Sequence, residues 1–134
     1  MKALIFAAGL GTRLKPLTDT MPKALVPING KPLLEHQILK MKKMGFDHLV
    51  INVHHFADQI IDFLSKNNNF GLKIDISDER NLLLETGGGV KKAASFFTDE
   101  KPFLIHNVDI LSNIDLQSFY TKNASKSLIS LLVN

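Results

Sequence analysis

The chain has 134 residues, 45% of them hydrophobic and 22% charged, with no cysteine and a formal net charge of +3. That length supports one domain with its own core, and the absence of cysteine excludes disulfide scaffolds and thiolate metal sites. No apolar run approaches the ~20 residues of a membrane span, and Met1-Lys2 leads into a short apolar stretch without a signal-peptide layout, so a cytoplasmic protein with no membrane partner is expected.

Lys2 to Ala7 is a nearly continuous apolar run ending in glycines, the pattern of a strand buried on both faces. Ala8 to Lys31 carries three glycines and three prolines, which excludes one long helix. Pro32 suits a first helical position, with Leu34, Ile38 and Met41 on one stripe and Gly45 as the C-terminal cap. His48 to Val53 reads as a second strand, and Phe56 to Lys66 as a second helix with Phe56, Ile60, Phe63 and Leu64 on one side. Leu72 to Ser77 alternates as a third strand, and Asp78 to Gly89 reads as a loop. Val90 to Phe97 follows as a helix, Pro102 to Asn107 as a buried strand, Ile114 to Asn123 as a helix and Ser127 to Val133 as a last strand.

Strands alternating with helices predict an α/β domain, doubly wound around a mostly parallel, Rossmann-like sheet with right-handed crossovers. In such a sheet a ligand binds beyond the carboxyl ends of the strands, where strand order reverses. Gly9, Gly11 and Arg13 follow the first strand, Glu85 to Gly89 the third and Asp109 the fourth, so the three loops are expected to line one cleft. Charge points the same way. Met1 to Gly45 holds eight Lys/Arg against two acids, the remainder eight against eleven, so the basic excess lies in the first third and favours an anionic partner such as phosphate. Lys40, Lys42 and Lys43 read as a solvated face, whereas Arg13 and Lys23 sit beside Gly and Pro.

Four motifs carry chemistry. In Ala7-Ala8-Gly9-Leu10-Gly11-Thr12-Arg13-Leu14, small residues let backbone N–H groups approach an oxyanion, and Thr12 and Arg13 add a hydroxyl and a cation. A lone Gly-x-Gly is equally well a chain turn. The dinucleotide fingerprint fails at Leu14, where it needs a third Gly, and Asn52 stands where an acid would be expected; the Walker loop is absent. Pro22-Lys23-Ala24-Leu25-Val26-Pro27 holds one ammonium on a stiff backbone, although a plain surface lysine is the simpler reading of that segment alone. Glu85-Thr86-Gly87-Gly88-Gly89 places costly glycines before a helix, as where backbone passes close to something bulky, or as a plain flexible loop. Asn107-Val108-Asp109 ends a buried strand with an acid suited to Mg²⁺, unless it is a turn or cap residue; Asp115 is available for the capping. Adjacent His54 and His55 point different ways and read as structural or surface residues, and His36, His48 and His106 receive no function.

In this combination and order, the chain resembles the N-terminal part of the sugar-1-phosphate nucleotidyltransferases. The resemblance is carried by residues 7–18, Pro22 to Pro27, Pro32-Leu33-Leu34, Glu85 to Gly88 and Asn107 to Asp109. Leu84 to Gly89 looks most like the N-acetylmuramate-1-phosphate uridylyltransferase branch, with the mannose-1-phosphate guanylyltransferase branch close behind. The resemblance implies an enzyme that transfers a nucleotidyl group from an NTP, UTP or GTP, to a sugar-1-phosphate, giving an NDP-sugar and pyrophosphate, with no nucleic-acid partner and with a homo-oligomer admitted.

Residue by residue, it implies that Ala7, Ala8 and Gly9 meet the nucleoside, and that Gly11, Thr12 and Arg13 cradle the triphosphate. It further implies that Lys23 neutralises charge near the α-phosphate, that Glu85, Thr86 and Gly87 border the base, that Asn107 lies near the ribose or base, and that Asp109 binds Mg²⁺. Arg13 and Lys23 are the expected catalytic residues. Val108 stands where the family usually has Gly. The resemblance spans only the front of a family member, which implies that residues 1–134 are the nucleotide-binding portion of a truncated domain whose sugar-binding portion is absent. Catalysis is then expected to be complete only with further sequence. The alternative is a catalytically inactive nucleotide-binding regulatory or structural module of the same fold.

Overall fold

A strand with no polar face must be covered on both sides, and that places the first apolar run in the middle of the sheet. In the computed structural model, which describes residues 1–123 and 128–132, β1 (Lys2–Phe6) buries Ala3, Leu4 and Ile5 completely. A two-residue hairpin, β2 (Pro27–Ile28) and β3 (Lys31–Pro32), precedes α1 (Leu33–Lys43). Then follow β4 (His48–Val53), α2 (Ala57–Lys66), β5 (Lys73–Asp78), α3 (Glu85–Ala93), β6 (Leu104–Asn107) and α4 (Leu116–Asn123). The four main strands are all parallel, in the order β5-β4-β1-β6.

Alternate residues of β1 feed two cores. Ala3 and Ile5 join the larger one, with Leu34, Ile38 and Met41 of α1, Ile60 and Leu64 of α2 and Leu116 of α4. Leu4 and Val50 join the other, with Ala93 of α3, flanked by Phe6, Val90, Phe97 and Phe103. Helices therefore cover both faces, the doubly wound arrangement expected from the alternation. Each fully buried Leu, Ile or Met contributes about 1.5–3 kcal/mol relative to exposure.

The chain steps outward from β1 to β4 to β5, then crosses back through α3 to β6 on the far side of β1. Strand order thus reverses between β1 and β6, where Phe6 and Asn107 are register partners. The crevice beyond those two residues is the position this topology reserves for a ligand.

Three expectations change. Residues 85–89 are not loop: α3 begins at Glu85 and takes in all three glycines. A Cβ on Gly89 would lie 2.9 Å from Phe6 Cε1, so the missing side chain lets the helix rest on β1, and tertiary packing overrides poor helix propensity. Of the strand expected over 127–133, residues 127 and 133 fall outside the described residues, and 128–132 form no strand. Lys40 and Lys42 are not merely solvated. Lys40 Nζ donates to the carbonyl and hydroxyl of Ser112 at 2.8 and 2.9 Å, and Lys42 Nζ to the Phe70 carbonyl at 2.5 Å. Asp115 does cap α4, accepting from the Ser118 N–H at 2.9 Å.

Candidate active site

The site grows from the end of β1. Ala7 and Ala8 are 3% and 5% exposed, and their N–H groups donate to one atom, Asn52 Oδ1 on β4, at 2.6 and 3.2 Å. Beyond them the chain turns out of the sheet at Gly9 and folds back at Gly11. Gly11 has φ +66°, and its carbonyl accepts from Leu14 N at 2.8 Å and Thr18 Oγ1 at 2.9 Å. A Cβ there would stand 2.9 Å from both Lys23 Cβ and Thr18 Cγ2. Gly11 therefore does not reach the cleft; it lets the Arg13 segment and the Lys23 segment pack backbone against side chain.

Lys23 rides on a short 3₁₀ turn whose neighbours Ala24 and Val26 are 0% and 5% exposed, and the Val26 carbonyl accepts from Leu33 N at 3.0 Å. Anchoring on both sides aims the ammonium across the crevice. Its Nζ lies 2.5 Å from Asp109 Oδ2.

Asp109 is held just as firmly. Val108 N continues the ladder to the Phe6 carbonyl at 3.1 Å, and Ile110 N closes a turn on the Asn107 carbonyl at 3.2 Å. From α1, the buried Gln37 Nε2 donates to the carbonyls of Val108 and Ile110 at 3.3 and 2.7 Å, gripping both sides of Asp109. The Val108 side chain is 2% exposed in the main core, so a residue larger than glycine is accommodated there.

The opposite wall comes from β5 and α3. Glu79, just past β5, is 1% exposed; its Oε1 accepts from Asn52 Nδ2 at 3.0 Å and its Oε2 from Leu84 N at 3.2 Å. Glu85 and Thr86 then face the opening at the start of α3, with Glu85 in the left-handed region at φ +54°.

The resulting cleft encloses about 410 Å³, within the range of small-molecule sites. It brings together Ala7, Ala8, Gly9, Arg13, Lys23, Glu85, Thr86, Asn107 and Asp109. Gly11, Thr12 and Gly87 do not line it. Asn52, Glu79 and Leu83 do, although none of the four motifs contains them. An amide in the apolar run HLVINV was the available signal for Asn52; nothing local marks Glu79 as buried.

Burial works to raise the Asp109 carboxyl, but the Lys23 hydrogen bond and charge, aided by Arg13, outweigh it and hold the group below the usual carboxylate value. Arg13 itself is exposed and makes no ion pair among the described residues. Arg13 and Lys23 thus flank Asp109 on one side of the cleft, a cationic edge for a polyanion, while Glu85 and the buried Glu79 belong to the opposite wall. No group of three or more His, Asp or Glu side chains gathers among the described residues. A lone carboxylate still fits Mg²⁺, which commonly takes one or two carboxylates and completes its shell with substrate phosphates and water. His54 is structural, its Nδ1 lying 2.7 Å from the Glu79 carbonyl.

Fold and site together define a doubly wound α/β domain with an anion-suited cleft at its topological switch point. Residues 2–133 match the Nucleotidyl transferase family, and the chain belongs to it. It is 40% identical over 125 residues to N-acetylmuramate alpha-1-phosphate uridylyltransferase of Neisseria meningitidis, covering 93% of this chain and 54% of that protein. It is 34% identical over 134 residues to mannose-1-phosphate guanylyltransferase catalytic subunit beta of Danio rerio, covering 96% of this chain and 37% of that protein. Among solved structures, HddC from Yersinia pseudotuberculosis complexed with GMP-PN superposes with a TM-score of 0.81 at 33% identity, over 92% of this chain and 54% of that one. The chain spans about half the length, or less, of these proteins. Among the described residues no helix is long and apolar enough to cross a membrane.

Proposed function

We propose that this chain carries the nucleotide-binding portion of a sugar-1-phosphate nucleotidyltransferase, taking UTP or GTP with a sugar-1-phosphate. The observation that carries the reading is the convergence of Arg13, Lys23 and Asp109 from three separate loops on the mouth of one switch-point cleft. In the reaction, an oxygen of the sugar phosphate attacks the α-phosphorus, the bond from that phosphorus to the bridging oxygen breaks, and pyrophosphate leaves. No covalent enzyme intermediate is needed, so the protein contributes positioning and charge neutralisation.

Arg13 stabilises the departing pyrophosphate, and Lys23 moves its hydrogen bond from Asp109 to a phosphate oxygen near the reacting phosphorus. The open backbone at Gly9 gives close approach along the nucleoside, with Ala7 and Ala8 held behind it. Gly11 and Thr12 support the triphosphate cradle through the loop they shape. Glu85 and Thr86 border the base, with Gly87 behind them in α3 rather than in the cleft lining, and Asn107 lies toward the ribose. Asp109 holds Mg²⁺, which when bound neutralises charge on the substrate phosphates. A cytoplasmic setting, where NTPs and sugar phosphates occur, accords with this reading.

Calorimetric titration of this chain with UTP and with GTP, with and without Mg²⁺, is the direct test. Mg²⁺-dependent binding of one of them, lost in Asp109→Asn, is expected. Failure of both nucleotides to bind this chain and a full-length form overturns the reading. Pyrophosphate release from a panel of sugar-1-phosphates, with both forms, then identifies the acceptor and separates an enzyme from a binding module.

A further inference from the structure

The hydrogen bonds behind Gly9 form one buried chain that ties both walls of the cleft together. The Ala7 and Ala8 N–H groups can only donate, so the Asn52 atom facing them must be the amide oxygen. The Asn52 NH₂ then necessarily faces the other way, onto Glu79 Oε1, and the second Glu79 oxygen accepts from Leu84 N immediately before α3. Asn52 and Glu79 are each 1% exposed, and Glu79 makes no ion pair among the described residues. A buried carboxylate without a cation is costly, and an apolar pair would fill the same space more cheaply. Room has been kept for it: a Cβ on Gly89 would lie 3.0 Å from Glu79 Oε1 and 3.4 Å from Asn52 Nδ2.

We propose that Asn52 and Glu79 are positioning residues of the nucleotide site. Glu79 fixes which way the Asn52 amide points, and the amide oxygen so held sets the Ala7–Ala8 backbone from which Gly9 and Arg13 are presented, in one unit with the start of α3. The inference rests on the nucleotide reading above only for its ligand.

The polarity of the hydrogen-bond chain provides the test. In Glu79→Gln an NH₂ replaces one carboxylate oxygen and must face either the Asn52 NH₂ or the Leu84 N–H, donor against donor. In Asn52→Asp two buried carboxylates meet. The double variant, Asn52→Asp with Glu79→Gln, restores every bond: the new carboxylate at position 52 accepts from the Ala7 and Ala8 N–H groups and from the new NH₂ at position 79, whose amide oxygen accepts from Leu84 N. Two-dimensional ¹H–¹⁵N spectra of the full chain report the Ala7 and Ala8 amides, titration with Mg–UTP and Mg–GTP gives Kd, and thermal melting reports stability.

Each single variant is expected to shift the Ala7 and Ala8 amide resonances, to expose these amides to solvent exchange and to raise Kd about tenfold, the loss of roughly one buried hydrogen bond, with the exchange protection and Kd returning in the double variant. Glu79→Gln with unchanged Ala7 and Ala8 resonances overturns the orienting role. Single variants that melt earlier yet bind nucleotide with unaltered Kd while folded reduce the pair to a structural one and overturn the proposal. Where a single variant fails to fold, a folded double variant whose Ala7 and Ala8 amides are protected from solvent exchange supports it, and an unfolded one, or one with both amides unprotected, overturns it. Failure of both nucleotides to bind the wild-type chain and a full-length form refutes the nucleotide reading, while restored solvent protection of the two amides in the double variant still supports the orienting role.

Discussion

Gly9 and Gly11 sit two residues apart in the same motif, and replacing each by alanine should separate ligand approach from loop construction. At Gly11 the backbone is left-handed, φ +66°, which costs alanine about 1–2 kcal/mol. The new methyl would also stand 2.9 Å from Lys23 Cβ and Thr18 Cγ2, well inside the 3.4–4 Å of ordinary contact. Thr18 is 3% exposed with its hydroxyl bonded to the Gly11 carbonyl, so it has no room to turn away, and overpacking adds about 1–3 kcal/mol. The sum, about 2–5 kcal/mol, is a large share of the ~5–15 kcal/mol that holds a domain together. At Gly9 nothing lies within 4 Å of where a methyl would stand and φ is not left-handed, so the stability cost should stay within about 0.5 kcal/mol. Urea unfolding followed by circular dichroism measures both. Gly9→Ala should in turn weaken Mg–NTP binding about tenfold, because its methyl enters the cleft. Equal stability losses at the two positions, or a Gly11→Ala loss below about 0.5 kcal/mol, would refute the division of labour.

Gly87→Ala and Gly89→Ala should divide in the same manner. Gly87 has open space at its Cβ and should fold normally, whereas Gly89 meets Phe6 at 2.9 Å and should lose about 1–3 kcal/mol in the same unfolding assay. Lys23→Met should raise the Asp109 carboxyl toward its usual value, read by ¹³C titration of its side chain, since Lys23 is the main group holding it down. Because that carboxyl is depressed in the folded state, the stabilisation from the Lys23 contact is present above the ordinary carboxylate pKa of ~3.9 and disappears as pH falls through the lower folded value. A stability difference between the two proteins that grows on acidification would contradict the assignment. In a catalytically complete form, Arg13→Ala and Asp109→Asn should each lower pyrophosphate release by about 10²–10⁴, and activity that survives either change removes that residue from the mechanism.

Periodicity made the scaffold legible: β1 and β4 lie within a residue of the segments expected from their apolar runs, and Asp115 caps α4 as its position implied. The cations and the carboxylate were legible because each stands beside a Gly, Pro or strand end. What stayed hidden depends on contacts distant in sequence. The Asn29-Gly30 turn, with φ +50° and +78°, closes a hairpin too short to show alternation. The glycines of α3 looked like loop because propensity speaks against them, and the contacts that require Gly89, with Phe6, Glu79 and Asn52, come from residues distant in sequence. Asn52 and Glu79 acquire meaning from each other, 27 residues apart, and from a backbone 45 residues upstream.

The bond from Leu84 N to the Glu79 carboxylate pins both ends of a short exposed loop in which Leu82 is 66% exposed. Between those two anchors Arg80 is tied to Asp78 of β5 and Asp58 of α2, which leaves the exposed Asn81 and Leu82 as the stretch without such ties. Such a segment can drift in sequence at little cost to folding while still bordering the cleft. It is the place where descendants of this chain could change what they accept without rebuilding the machinery beneath.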